Sequence, residues 1–245
     1  VMERSNCVGG PTATGKTPLS MELWKLLDGE VLSCDSMQLY RGMDIGTAKP
    51  DRETRRIAPH RLIDLLDPAE AYSAGHFRAD ALREIAAIHQ SGKIPLLVGG
   101  TMLYFRALER GLAELPVADP LLRARLAGEL AEQGSVALHA RLAQRDPAAA
   151  ARIHPHDPQR IQRALEICEL TGQPVTELYA RARNESLPFS ISKLILAPRN
   201  RQWLHDRIER RLQAMLAQGF IAEVERLRAR GDLHADLPSM WAVGY

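Results

Sequence analysis

The eight residues GPTATGKT near the N-terminus restrict the possible folds more than any other stretch of the chain. They fit G-x-x-x-x-G-K-[ST], with Gly10, Gly15, Lys16 and Thr17 at the fixed positions and Pro11, Thr12, Ala13 and Thr14 between them. The glycines let the backbone turn so that its N–H groups point inward at phosphate oxygens. Lys16 adds a full positive charge, Thr17 offers a hydroxyl to Mg²⁺, and the following helix adds the partial charge of its N-terminus. Residues 5–9 read as a strand before the loop, and residues 16–27 as a helix after it, ended by Asp28-Gly29. A strand–loop–helix context is what separates a phosphate loop from a chance match. It says polyphosphate without saying which one.

The pattern then continues in the same style. EVLSC is a buried, β-prone strand, HRLIDLLDP a third strand candidate that stops at Pro68, and KIPLLVGG a fourth. Ser73 is placed to cap a helix carrying Phe77, Ala81, Leu82, Ile85 and Ile88 at helical spacing. TMLYFRALERG gives another helix, closing at Gly111. Strands alternating with helices predict a parallel sheet covered on both faces. From about Leu115 the pattern changes. Residues 118–183 contain no convincing strand and read as helices separated by Gly134, Pro147, Pro155, Pro158, Gly172 and Pro174. Strand character returns in FSISKLILAP, followed by two basic helices at about 201–218 and 221–230. The expected fold class is α/β, a P-loop NTPase-like parallel sheet core with an inserted all-helical domain. The expected boundaries are 1–115 for the first part of the core, 116–187 for the insertion and 188–245 for the return.

Composition excludes more than it selects. The 245 residues are 45% apolar and 25% charged, as in an ordinary globular protein, and the net charge is only +2. The charge is uneven, however. Arg199, Arg201, Arg207, Arg210, Arg211, Arg226 and Arg228 lie close together, against Asp206, Glu209, Glu223 and Glu225, which suits either a solvated helix face or an anion-binding surface. Three cysteines, Cys7, Cys34 and Cys168, lack the spacing of a disulfide framework or zinc site and suit a reduced cytoplasmic protein. No apolar run approaches the roughly 18 residues of a membrane span. The first residues are no signal peptide, and a start at Val1, almost in the first strand, suggests a trimmed N-terminus.

In nucleotide hydrolases and kinases with this loop, a second strand usually ends in a metal-holding Asp. Here IPLLVGG ends in Gly99, Gly100 and Thr101 instead. The acid that does stand at a strand end is Asp35. Strand carboxyl ends open onto the side where the phosphate loop lies, so Asp35 is within reach of whatever Lys16 holds. Its competing role is to cap the turn that Ser36 begins. Thr101 can face a ligand or cap its helix, and both can hold at once.

Several segments together resemble one family, the tRNA dimethylallyltransferases, also called tRNA isopentenyltransferases. They are GPTATGKT, DSMQLYRGMDIGTAKP, PHRLIDLLDP, PLLVGGTMLYFRAL, DPQRIQRALEI and LHDRIERRLQAML, in the family's order across nearly the whole chain. The resemblance implies transfer of a dimethylallyl group from dimethylallyl diphosphate to N6 of adenine 37 of tRNA. It also implies an extruded adenine in a channel that the diphosphate enters from the other end. By the same resemblance Asp35 is expected to take the proton from N6, Thr101 to orient the base, and the loop with Lys16 to hold the departing diphosphate. Arg211 is expected to reach that diphosphate from the opposite side, with Arg207 as a neighbour, and Thr17 to be the protein's ligand to Mg²⁺.

For the RNA, the resemblance points to Asp35, Ser36, Met37 and Gln38, to Thr101, and to Gln159, Arg160, Ile161, Gln162 and Arg163. Arg123 is a similar candidate, and Arg160 and Arg163 share one helix face from which phosphates can be met. The segment Met240, Trp241, Ala242, Val243, Gly244 and Tyr245 completes the set. Trp241 stands where family members usually carry Arg or Lys, so a phosphate contact is expected to be missing there. Family members also continue past VGY, whereas this chain stops at Tyr245. A monomer is the default expectation. The competing readings are an adenylate isopentenyltransferase, a small-molecule kinase supported by the loop alone, and a non-catalytic RNA-binding protein. The arginines of the insertion weigh against a free nucleotide as acceptor.

Overall fold

The computed structural model describes residues 3–113, 115–181 and 186–245; Val1 and Arg183 lie outside them. By Cα proximity the chain divides into two compact units, Val1–Arg110 with Ser186–Tyr245, and Gly111–Glu185.

The first unit is built on five parallel strands, β1 (Glu3–Gly9), β2 (Gly29–Ser33), β3 (His60–Arg61), β4 (Ile94–Gly99) and β5 (Phe189–Ile195), in the order β3-β2-β4-β1-β5. β1 runs between β4 and β5, and β2 lies on the far side of β4. The register sets Cys7 beside Leu97 and Leu97 beside Leu32. These three face one side of the sheet, where α3 (Ala74–Gln90) and α4 (Met102–Arg110) contribute Phe77, Ala81, Ile85, Ile88, Tyr104, Phe105 and Leu108 to the same core. Strand side chains alternate, so Val8, Val31 and Leu96 bury on the other face. α1 (Lys16–Leu27) packs against β1, β2 and β4, and the short α2 (Arg52–Ile57) precedes β3. Ser73 caps α3 as its sequence predicts, accepting the His76 N–H at 3.1 Å.

The third strand is much shorter than HRLIDLLDP suggests. β3 is His60–Arg61 alone, paired with Val31 and Leu32. Leu62 and Asp64 then take left-handed backbone angles, φ 60° and 56°. The apolar run satisfies two different demands there. Leu62 buries in the core, while Asp64 is drawn aside to Lys49 and Arg55. After β5 come α9 (Arg201–Ala217), none of whose residues is fully buried, and α10 (Phe220–Arg228).

The second unit is helical in its described residues: α5 (Pro120–Arg145), α6 (Pro147–Ala150), α7 (Pro158–Thr171) and α8 (Val175–Arg181). Gly134 kinks α5 with φ 81°, a value only glycine adopts without strain. Leu126, Leu138, Leu142, Ile161 and Leu165 form its core. Asp119, Asp146 and Asp157 each cap the next helix, with proline at its first position, so the sequence starts these helices by a repeated device.

Candidate active site

The phosphate loop comes directly after β1. Gly10, Ala13 and Gly15 have positive φ, which turns the loop back over the start of α1. A side chain at Gly10 would put its Cβ 2.4 Å from the carbonyl oxygen of Leu196, the residue after β5, so the two segments fit together only with glycine here. Lys16 folds over the loop and donates to the carbonyls of Gly10 and Pro11 at 2.8 and 2.6 Å.

Two strand ends supply the opposite part of the site. Cys34 donates its N–H to Val98 O, and Thr101 donates its own to Cys34 O. Gly99 sits so close that a Cβ there would lie 2.1 Å from the Cys34 carbonyl oxygen. This contact brings Asp35 and Thr101 to one place. Asp35 Oδ1 accepts the Met37 N–H at 2.9 Å, closing the turn 35–37, and no described residue is bonded to Oδ2. Thr101 Oγ1 accepts the Ser36 N–H at 3.0 Å. Its hydroxyl is thus spent on the neighbouring turn and not on its own helix. Gln38 is held from both sides, by Ser33 Oγ at 2.9 Å and by the carbonyls of Thr47 and Ala48 at 3.5 and 3.4 Å.

α9 closes the third side. Arg207 Nε donates to Ala13 O at 2.7 Å and its guanidinium lies 4.8 Å from the Trp203 ring centroid. Arg207, Arg210 and Arg211 face the phosphate loop across a cavity of about 630 Å³, which Asp35, Gln38, Thr47, Ala48, Gly100 and Thr101 also line. Burial lowers the Lys16 pKa; Asp35 opposes the shift and Arg211 adds to it. Burial also lowers that of Arg211, again opposed by Asp35. Three groups distant in sequence therefore share one field. A cavity with this cationic wall will concentrate an anion, and its opposing carboxylate can take a proton.

The donor set also bears on Mg²⁺. No group of three or more metal-binding acids, histidines or cysteines occurs among the described residues. Thr17 is exposed at the loop, and Asp35 is the one carboxylate among the described lining residues. A hard ion that keeps several waters and takes phosphate oxygens fits such a place, and an all-protein cage is not needed.

The remaining candidates are not among the residues that line this cavity, and several of them serve the fold. Arg123 and Arg163 both bind the buried carboxylate of Glu166, at 2.9 and 2.7 Å. Arg160 is exposed beside Asp157, and Gln159 is exposed. Gln162 donates to Arg123 O. Ile161 corrects the expectation for its segment, because its side chain is fully buried in the helical core and only its neighbours present side chains outward. In the last segment Trp241 and Val243 are exposed, whereas Ala242 is buried and Met240 and Tyr245 pack against it and its neighbours.

Sequence reasoning gave no role to Thr47, Ala48, Arg210 or Glu223. The first two stand in a quoted motif, DIGTAK, whose spacing carries no chemical signal. Arg210 and Glu223 were legible only as members of a charged stretch.

Among the described residues, no helix is long and apolar enough to cross a membrane. The family model for IPP transferase matches residues 38–245. A tRNA dimethylallyltransferase of Alkalilimnicola ehrlichii is 62% identical over 236 residues, covering 96% of this chain and 74% of its own length. The full-length tRNA isopentenylpyrophosphate transferase of Bacillus halodurans is similar in structure, with a TM-score of 0.65 at 41% identity, over 100% of this chain and 75% of that one. A eukaryotic dimethylallyltransferase acting on tRNA gives a TM-score of 0.74 at 29% identity, over 93% and 56%.

Proposed function

The chain belongs to the IPP transferase family, and from that premise we propose that it transfers a dimethylallyl group to tRNA, at N6 of adenine 37, from dimethylallyl diphosphate. The observation that carries this reading is the pairing in one cavity of the phosphate loop and its Lys16 with the carboxylate of Asp35.

In the proposed reaction the N6 lone pair attacks the allylic carbon, and the carbon–oxygen bond to diphosphate breaks, its electrons leaving with the diphosphate. The amine is positive until it loses a proton, and Asp35 Oδ2 accepts it. Lys16, Arg211 and the loop amides stabilise the charge gathering on the leaving group. Thr17 would hold Mg²⁺, which when bound supplies further positive charge to the diphosphate. Thr101 and Gln38 fix the base-facing turn, so that the amine meets the allylic carbon in line. Exposed Arg160 suits an RNA phosphate, and such contacts offset the few kcal/mol of stacking lost when a base is extruded. We take the protein to act in the cytoplasm as a monomer.

The test is label transfer. The chain, Mg²⁺ and an anticodon stem-loop with an unpaired adenine at position 37 are incubated with labelled dimethylallyl diphosphate. Label is expected in the RNA, and is lost when that adenine is replaced. Turnover of labelled ATP without RNA labelling would overturn the reading in favour of a kinase.

A further inference from the structure

Glu223 stands on α10, far in sequence from every motif of the site, yet its carboxylate is about 1% exposed and heavily used. Oε2 accepts the Asp44 N–H at 3.0 Å, both oxygens accept the Ile45 N–H at 3.0 Å, and Oε1 accepts the Gly46 N–H at 3.2 Å. The Tyr245 hydroxyl accepts the Gly46 N–H at 3.1 Å and donates to Oε1. Burial alone would raise the Glu223 pKa, but the N–H groups of Ile45, Gly46 and Asp44 and the Tyr245 hydroxyl hold it below the ordinary value. Three successive backbone donors on one buried carboxylate is an anion site of the kind used for ligands, filled here by the protein's own side chain.

This clamp adjoins the cavity along the chain. Thr47 and Ala48, the next residues, line the cavity, and their carbonyls receive Gln38 Nε2. Gln38 continues the turn that carries Asp35. A Cβ on Gly46 would lie 2.3 Å from Phe220 and 2.5 Å from Tyr245, so the loop is seated directly on α10 and the last residue. On its other side Lys49, its ammonium buried, binds Asp44, Asp64 and Tyr40 O, which holds the loop to the core independently of Glu223.

We propose that Glu223 is a positioning residue for the acceptor side of the cavity. It fixes the loop 43–49 from α10, and through Gln38 it fixes the turn that presents Asp35. The proposal rests on the reading that this turn faces the adenine. The phosphate loop is held by contacts that Glu223 does not make, to β1, α1, Leu196 after β5 and Arg207 of α9, so the donor side should not feel the change.

Glu223→Gln separates this role from mere stability. It replaces one acceptor by an amide donor facing N–H groups, and Lys49 remains to hold the loop. At a temperature where the variant is folded, with RNA and donor saturating, the single-turnover rate is expected to fall about tenfold, with donor KM within about twofold of wild type. Tyr245→Phe should cost about threefold, and in the double variant the two losses should not multiply, because both act on one contact. Amide hydrogen exchange gives a readout without catalysis: protection is expected to drop at residues 44–46 and also at 36–38. A folded Glu223→Gln with the wild-type rate, or one whose donor KM rises as much as its rate falls, overturns the proposal. So does loss of protection confined to 44–46. If the wild-type chain transfers no label, the functional reading fails instead, and the exchange pattern decides the structural claim alone. Should Glu223→Gln not fold, Tyr245→Phe decides by the same criteria.

Discussion

Ser36 and Thr101 are joined across two strand ends, the Ser36 N–H donating to Thr101 Oγ1 at 3.0 Å and the two hydroxyl oxygens 3.2 Å apart. The threonine hydroxyl is thereby the fixed point on which the Asp35 turn rests. Thr101→Val keeps the shape and removes the acceptor, leaving the Ser36 N–H without its partner. Transfer is expected to fall about tenfold or more, with a stability loss of about 1–3 kcal/mol. Thr101→Ser should retain most of both. Rates and chemical denaturation of the two variants check this, and equal activity in Thr101→Val would show that the hydroxyl is dispensable.

Asp35→Asn keeps an oxygen for the Met37 N–H but cannot accept a proton from the amine. Both substrates should still bind, while the single-turnover rate falls by roughly 10²-fold or more. A rate within a few-fold of wild type would remove Asp35 as the base.

Lys16 carries its charge at a cost, since burial lowers its pKa below 10.5. For a cation, a lowered folded value means a penalty on the fold that is present below that value and relieved as pH rises through it towards 10.5. Lys16→Met should therefore not lower the melting temperature of the ligand-free protein at neutral pH. It should weaken donor binding by about tenfold or more, as calorimetry with dimethylallyl diphosphate would read. A clear fall in melting temperature would mean that its two carbonyl bonds outweigh the burial.

Burial pushes the Cys7 thiol up to about 12, and Cys34, also fully buried, is raised in the same direction. Neither should react with a thiol reagent in the native protein, and both should react in denaturant. The same shifts act on stability. The contribution is present below the unfolded value of 9.0 and is lost as pH rises above it, because unfolded thiols ionise first. Denaturation midpoints taken between neutral pH and pH above 9.0 should fall less in Cys7→Ser than in wild type.

Trp241 is exposed and its indole N–H donates to Ala235 O at 3.1 Å. Trp241→Arg should tighten RNA binding and steepen its salt dependence by about 0.7–0.9 in the log–log slope, the increment for one phosphate. An unchanged slope would show that no phosphate passes this point.

The helix and strand order could be read from residues because local rules decide it. Gly15 and Lys16 start α1, Ser73 starts α3, and proline after aspartate starts α5, α6 and α7. HRLIDLLDP misled because an apolar run does not reveal that Lys49 and Arg55 pull Asp64 out of a strand path. Lys16, Asp35, Thr101 and Arg211 were legible through motif chemistry and resemblance, and the cavity brings them together. Glu223 was not. Its role depends on three backbone N–H groups about 180 residues away, and no spacing along one chain encodes that meeting.

The sheet order has a consequence for synthesis. β1 leaves the ribosome before the other four strands, but its neighbours are β4 and β5, and the unit Gly111–Glu185 is made between those two. The phosphate loop after β1 is seated against Leu196, which donates its N–H to Gly9 O at 2.8 Å. The phosphate loop must therefore wait for about 180 further residues until the partner that completes it is made, which is the slow, non-local closure that high contact order predicts. Nascent chains arrested before Phe189 should leave residues 10–17 open to protease, and chains extended past Leu196 should close them.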